Sequence, residues 1–147
     1  MASFFVDANT IISALRYVGN ESRLLEYARR GLCDLVTNEH VREEVRRFLE
    51  RQPGLSPARR GRAMSTVARR IVVLPDPART ELAAARGQVP DPRDLAVVVG
   101  FQQSGCDFLV TGDRELRKAV PRALTTRQAL RRIEEELRAG GRPPDGG

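Results

Sequence analysis

Ser3-Phe4-Phe5-Val6-Asp7-Ala8-Asn9-Thr10 opens the chain with a short apolar run that a polar cluster stops. Aromatic and β-branched residues dominate the run, which predicts a strand with Asp7 at its carboxyl end. A second segment has the same build: Phe108-Leu109-Val110-Thr111-Gly112-Asp113 again runs from apolar residues through a turn to an aspartate. One acid at a strand end is an ordinary turn or cap residue. Two acids at equivalent strand ends imply more, because neighbouring strands would open both carboxylates into one crevice.

Outward from these segments, helical and strand patterns alternate. Ile11, Ile12, Leu15 and Val18 follow helical spacing, and Gly19-Asn20 breaks that helix. A second helix begins near Glu21, carries Leu24, Leu25 and Ala28, and ends before Gly31. Leu32 to Thr37 reads as the second strand. Asn38 then caps a helix to about Arg51, with Val41, Val45, Phe48 and Leu49 as its buried stripe. Ser56-Pro57 supplies the cap and first residue of the next helix, which runs through an arginine-rich segment. Ile71 to Leu74 is a third strand and Arg79 to Ala85 a short helix. Asp91-Pro92-Arg93-Asp94 starts a helix reaching Ser104. Asp107 to Thr111 is the fourth strand, Glu115 to Lys118 a short helix, and Ala123 to Thr125 a weak fifth strand. Thr126 caps a last helix carrying Leu130, Ile133 and Leu137.

This alternation predicts an α/β fold, a three-layer α/β/α sandwich on a central parallel sheet of four to five strands. Ligands in such sheets sit beyond the carboxyl ends of the strands, near a switch point. One domain is expected over residues 1–138, followed by a Gly/Pro-rich tail, 139–147, predicted to be disordered.

The 147 residues are 41% hydrophobic and 30% charged, a globular balance that excludes a disordered chain. No apolar run is long enough to cross a bilayer, and the N-terminus carries no basic-then-apolar leader, so a cytoplasmic location is expected. Two cysteines, Cys33 and Cys106, exclude a disulfide scaffold and read as small buried apolar residues. The net charge is +6, and of the 25 basic residues only Lys118 is a lysine. Arg42 to Arg70 alone holds nine arginines against three glutamates, the whole of that +6. A concentrated cationic segment suits a polyanion such as nucleic acid; an arginine-rich composition that merely solvates its helices gives the same count.

Two further acids stand out. Asp94 fits a helix start, with Asp91 as cap, Pro92 as first residue and Asp94 as an acid favouring the helix dipole. Glu44 shares a helix face with Val41, Val45 and Phe48, so it borders the buried stripe while Glu43 points outward. An acid there needs a partner, either an arginine such as Arg47 or Arg51, or a metal. If Asp7, Glu44, Asp94 and Asp113 converge, their mutual repulsion requires a neutralising group. A hard divalent cation with oxygen ligands supplies one.

Phe5-Val6-Asp7-Ala8-Asn9, Glu44-Val45-Arg46-Arg47, Asp91-Pro92-Arg93-Asp94 and Val110-Thr111-Gly112-Asp113-Arg114-Glu115-Leu116 occur in this order. Together they resemble a PIN domain across about residues 1–130, and the closing Thr-Gly-Asp before a short helix is the most telling piece. The resemblance implies a set of three or four acids that holds Mg²⁺ or Mn²⁺, as one or two ions, and cleaves single-stranded RNA. It implies metal-ligand and catalytic roles for Asp7, Glu44, Asp94 and Asp113. It gives Asn9 and Thr111 supporting places beside the first and last acids, and makes Glu115 a peripheral acid. Many small members are toxins of the VapC type held by a partner antitoxin, and homodimers are common. The implied partners are therefore RNA (tRNA, rRNA and mRNA all stay open), a cognate antitoxin and a second copy. Where the family usually continues with small residues after the third acid, this chain has Val97-Val98-Val99-Gly100-Phe101, so packing near Asp94 is expected to differ.

The expected function is thus metal-dependent hydrolysis of single-stranded RNA, as the toxin of a type II toxin–antitoxin pair. Asp7, Asp94 and Asp113 hold the ion, and Glu44 completes its shell or orients the attacking water. Arg46, Arg47, Arg51, Arg59 and Arg60 are the expected phosphate contacts. Two alternatives stand beside this. One is a non-catalytic RNA-binding module of the same fold. The other is a phosphatase resembling the haloacid dehalogenases, which needs an acid where Asn9 stands and a lysine before Gly112-Asp113, whereas Lys118 follows it. The lone His40 reads as a solvated or capping residue, and one histidine with two separated cysteines makes no zinc pattern.

Overall fold

The computed structural model describes residues 1–140. Five strands, β1 (Ser3–Val6), β2 (Asp34–Asn38), β3 (Val72–Leu74), β4 (Phe108–Val110) and β5 (Ala123–Leu124), form one sheet in the order β3-β2-β1-β4-β5. Every neighbouring pair is parallel. Helices flank the sheet, giving the expected α/β/α arrangement with the larger of the two strand counts. β1 is central, with Phe4 registered against Leu35 on one side and Phe108 on the other. A strand buried on both faces needs a continuous apolar run, and Phe4, Phe5 and Val6 are all fully buried. Each buried phenylalanine contributes about 1.5–3 kcal/mol relative to an exposed one, and Phe4 also stacks on Phe108 at 5.9 Å between ring centroids. The chain leaves β1 for β2 on one side and returns to β4 on the other, so a crevice opens beyond the carboxyl ends of β1 and β4.

The helices are α1 (Ala8–Arg16), α2 (Asn20–Arg29), α3 (Glu39–Glu50), α4 (Pro57–Arg70), α5 (Arg79–Ala84), α6 (Leu95–Ser104), α7 (Arg114–Ala119) and α8 (Thr126–Ala139). The polar cluster after β1 is the start of α1, because Asp7 Oδ1 accepts the Thr10 N–H at 2.9 Å and caps the helix. That helix ends at Arg16, which leaves Val18 fully exposed and off the stripe expected for it. Thr125, not Thr126, caps α8: Thr125 and Gln128 bond each other's backbone reciprocally, and Thr126 is buried inside the first turn. Ala139 completes α8 and Gly140 is its cap, so the helix includes the first residue of the expected tail. The rest of the expected tail, 141–147, lies outside the described residues. Among the described residues no helix is long and apolar enough to cross a membrane.

Two contacts set α3 and α6 relative to the sheet. Asn38 is fully buried; its Oδ1 accepts the Val41 N–H at 3.1 Å, capping α3, and its Nδ2 donates to Ala96 O at 3.0 Å in α6. Gly100 makes room for it, since a Cβ there would lie 2.4 Å from Asn38 Nδ2 and 3.1 Å from Phe5 Cζ. Val97, Val98, Val99 and Phe101 are all buried, so α6 is apolar around most of its circumference where the family pattern has small residues.

Candidate active site

Asp7, Glu44, Asp94 and Asp113 line one pocket of about 400 Å³ at the carboxyl ends of β1 and β4, together with Asn9, Asp91 and Arg93. Each acid arrives on a different element. Asp7 follows β1, Glu44 sits on α3, Asp94 precedes α6, and Asp113 precedes α7. The Asn38 staple between α3 and α6 brings Glu44 and Asp94 to the same pocket.

The two strand-end aspartates share a support. Thr111, fully buried, donates its hydroxyl to Asp7 Oδ2 at 2.5 Å and accepts the Asp113 N–H at 3.1 Å. Asp113 Oδ1 accepts the Leu116 N–H at 3.1 Å and caps α7. Arg117 Nη1 donates to Thr111 O at 3.0 Å and closes the turn.

Asp94 sits differently from its expected place inside a helix begun by Asp91. Pro92–Asp94 form a 3₁₀ turn, and α6 begins at Leu95. Asp91 takes the capping bond from Arg93 N–H, while Asp94 makes no capping bond and keeps both oxygens free for the pocket. Burial raises the Asp94 carboxyl above the usual aspartate value, and Asp113, Asp91 and Asp7 raise it further. Arg93, the one cation lining the pocket, offsets this only in part, because its guanidinium is engaged by Asp91 through Nε and Nη2.

Glu44 and Glu43 are equally exposed at their side chains, 44% and 45%, so the buried-stripe argument does not separate them. Their surroundings do: Glu44 lines the pocket and Glu43 pairs with Arg46. The partner of Glu44 is His40, not Arg47 or Arg51. His40 Nε2 lies 2.8 Å from Glu44 Oε1, off the line of a hydrogen bond, and is shielded from solvent. The His40 side chain as a whole stays 34% exposed, so only its Nε2 departs from the solvated reading.

Asn9 lines the pocket. Glu115 does not reach it; exposed on α7, it lies 3.6 Å from Lys118 Nζ. The pocket therefore contains no lysine, and with Asn9 in place of a second acid it lacks two groups that the phosphatase alternative requires. Of the expected phosphate contacts, Arg46 is held between Glu43 and Glu50, and Arg60 donates to Leu55 O at 3.2 Å. Arg47 and Arg51 line a pocket that also contains Asn9 and Glu44, and Arg59 lines a further one. Cys33 and Cys106 are buried and free, and burial pushes the Cys33 thiol up to about 12.

The donor set suits a hard divalent cation, being four carboxylates with an excess of negative charge around Asp94 that Arg93 offsets only in part. Among the described residues no three acid, histidine or cysteine side chains stand close enough to form a preassembled metal cage. Mg²⁺ is the cation least troubled by this, because it retains several waters and takes only one or two carboxylates directly.

Residues 3–115 match the family described as PIN domain. No curated protein matches the chain by sequence. Solved structures share the fold, two of them as follows. The crystal structure of PAE2754 from Pyrobaculum aerophilum superposes with a TM-score of 0.69 at 20% identity, covering 91% of this chain and 96% of that one. VapBC2 from Rickettsia felis, solved bound to a DNA fragment from its promoter, superposes with a TM-score of 0.65 at 13% identity, covering 84% and 96%.

Proposed function

The chain belongs to the PIN-domain family, whose members are generally nucleases, and on that premise we propose that it is a divalent-metal-dependent ribonuclease acting on single-stranded RNA. The observation that carries the proposal is the gathering of Asp7, Glu44, Asp94 and Asp113 into one pocket from four separate elements. Asp7, Asp94 and Asp113 are the residues to hold Mg²⁺ or Mn²⁺, with Glu44 at the pocket's edge. The bound cation supplies activation of water and offsets charge on the phosphate under attack. Thr111 fixes the Asp7 carboxylate, and Asp113 is fixed by the helix it caps, so both present their oxygens without reorganising. Glu44, at the pocket's edge beside His40, is placed to orient the attacking water and take its proton.

The likeness to VapBC2 supports a toxin of a type II toxin–antitoxin pair held by a cognate antitoxin; action in the cytoplasm and a homodimeric assembly belong to the same proposal. The test is cleavage of a single-stranded RNA with Mg²⁺ or Mn²⁺, with EDTA, and with Asp7→Asn. Cleavage that needs both the metal and the intact acid supports the proposal. RNA binding and any growth effect that survive Asp7→Asn unchanged favour the non-catalytic alternative.

A further inference from the structure

Most arginines of the described residues enter no ion pair, and what singles out five of them is where they stand. Arg29, Arg42, Arg46 and Arg93 each pair with carboxylates. Arg16, Arg47, Arg51, Arg59 and Arg62 enter no ion pair among the described residues. All five line two pockets, of which the first continues from the acidic one and the second is reached past Arg16. The first, about 370 Å³, shares Ala8, Asn9 and Glu44 with it and adds Arg47, Phe48 and Arg51. The second, about 520 Å³, is lined by Arg16, Arg59 and Arg62. Arg16 joins the two, since its guanidinium lies over the Phe48 ring at 5.4 Å and over the Tyr17 ring at 5.1 Å.

The sorting follows helix geometry. On α3, Arg42 and Arg46 point where same-helix glutamates meet them, whereas Arg47 and Arg51 are four residues apart and share the face packed toward α1. Five unpaired guanidinium groups along one groove repel each other, and a polyanion laid in the groove removes that cost. The planar guanidinium fork matches a phosphate in two bonds.

We infer that the groove between α1, α3 and the start of α4 is a track for the phosphates of a single-stranded polynucleotide leaving the acidic pocket, first past Arg47 and Arg51 and then past Arg16, Arg59 and Arg62. The inference rests on the nuclease reading for what happens at the acidic end, and it adds the path of the strand. Tyr17, 60% exposed beside Arg16, offers that strand one stacking surface.

Binding measured without cleavage separates the two readings. The full chain is titrated in EDTA with fluorescent oligoribonucleotides of about 4 to 16 nucleotides, the span of a single-strand site, across a series of salt concentrations. Arg47→Ala with Arg51→Ala is expected to weaken binding several-fold and to flatten the slope of log K against log salt by about 0.7 for each phosphate left without its arginine. Arg59→Ala with Arg62→Ala does so only for the longer oligonucleotides. Arg69→Ala with Arg131→Ala, exposed and off the track, leaves both quantities unchanged. Equal losses from the off-track pair, or none from the track pairs, overturn the inference. So does a groove that takes polyglutamate but not RNA, which assigns it to an acidic protein. RNA bound along the track yet uncut with Mg²⁺ or Mn²⁺ supports the track and fails the nuclease reading; RNA cut by a protein indifferent to these arginines does the reverse.

Discussion

Thr111 bonds to Asp7 across the strand pair β1–β4, and the same hydroxyl oxygen accepts the Asp113 N–H. One buried side chain thus ties together two acids that lie far apart in sequence. Thr111→Val keeps the shape and removes the hydroxyl, leaving a buried Asp7 oxygen without a protein donor. The expected loss is about 1–3 kcal/mol of stability, read by urea unfolding, together with reduced RNA cleavage. Thr111→Ser retains the bond and is expected to restore most of both.

Asp113 has two roles that substitution separates. Asn caps helices as well as Asp does, so Asp113→Asn is expected to unfold within about 0.5 kcal/mol of wild type. The lost charge lowers cleavage about 10²-fold or more. Asp113→Ala also loses the cap and about 1 kcal/mol of stability. Paired unfolding and cleavage assays distinguish the cap from the charge.

The raised Asp94 carboxyl gives a pH dependence of defined sign. A group with a raised folded-state pKa adds stability below its unfolded-state value and loses that contribution as pH rises through the folded one. In EDTA, Asp94→Asn is therefore expected to melt higher than wild type at about pH 7, with the difference closing toward about pH 4. A difference that widens in acid contradicts the physical cause, which is burial first and the neighbouring Asp113, Asp91 and Asp7 second.

Gly100→Ala sets helix propensity against packing. Propensity alone gains about 0.5–1 kcal/mol. The new methyl meets Asn38 Nδ2 at 2.4 Å, and Asn38 is fully buried and bonded at both ends of its amide, so it has nowhere to go. Overpacking costs about 1–3 kcal/mol and wins. Net destabilisation in a urea titration is the expected result, with weaker metal binding because α3 and α6 carry Glu44 and lead from Asp94.

Much of this architecture was legible where local chemistry is unambiguous. Asn38 and Ser56 announce their helices because each is a capping residue directly before a helical pattern. Asp7 and Asp113 stand out because each ends an apolar strand. Thr125 and Thr126 were not separable, since two adjacent threonines cap equally well and only the reciprocal bond with Gln128 decides. Asp94 carried a competing signal: the Asp-Pro pair upstream absorbs the capping role, which frees Asp94 in a way visible only once the 3₁₀ turn forms. The proximity of His40 to Glu44 follows i,i+4 spacing and was within reach of the sequence, yet the many arginines masked it. Which arginines line the groove was out of reach, because it depends on how α1 and α3 pack.

The central claim is tested most directly by titrating Mn²⁺ into the metal-free protein by calorimetry, beside Asp7→Asn, Asp94→Asn and Asp113→Asn. The account predicts saturable binding to wild type that each single substitution abolishes or weakens at least tenfold, about 1.4 kcal/mol, while each variant stays folded. Binding that all three substitutions leave intact would contradict it, because the acids would then share a pocket without sharing a cation.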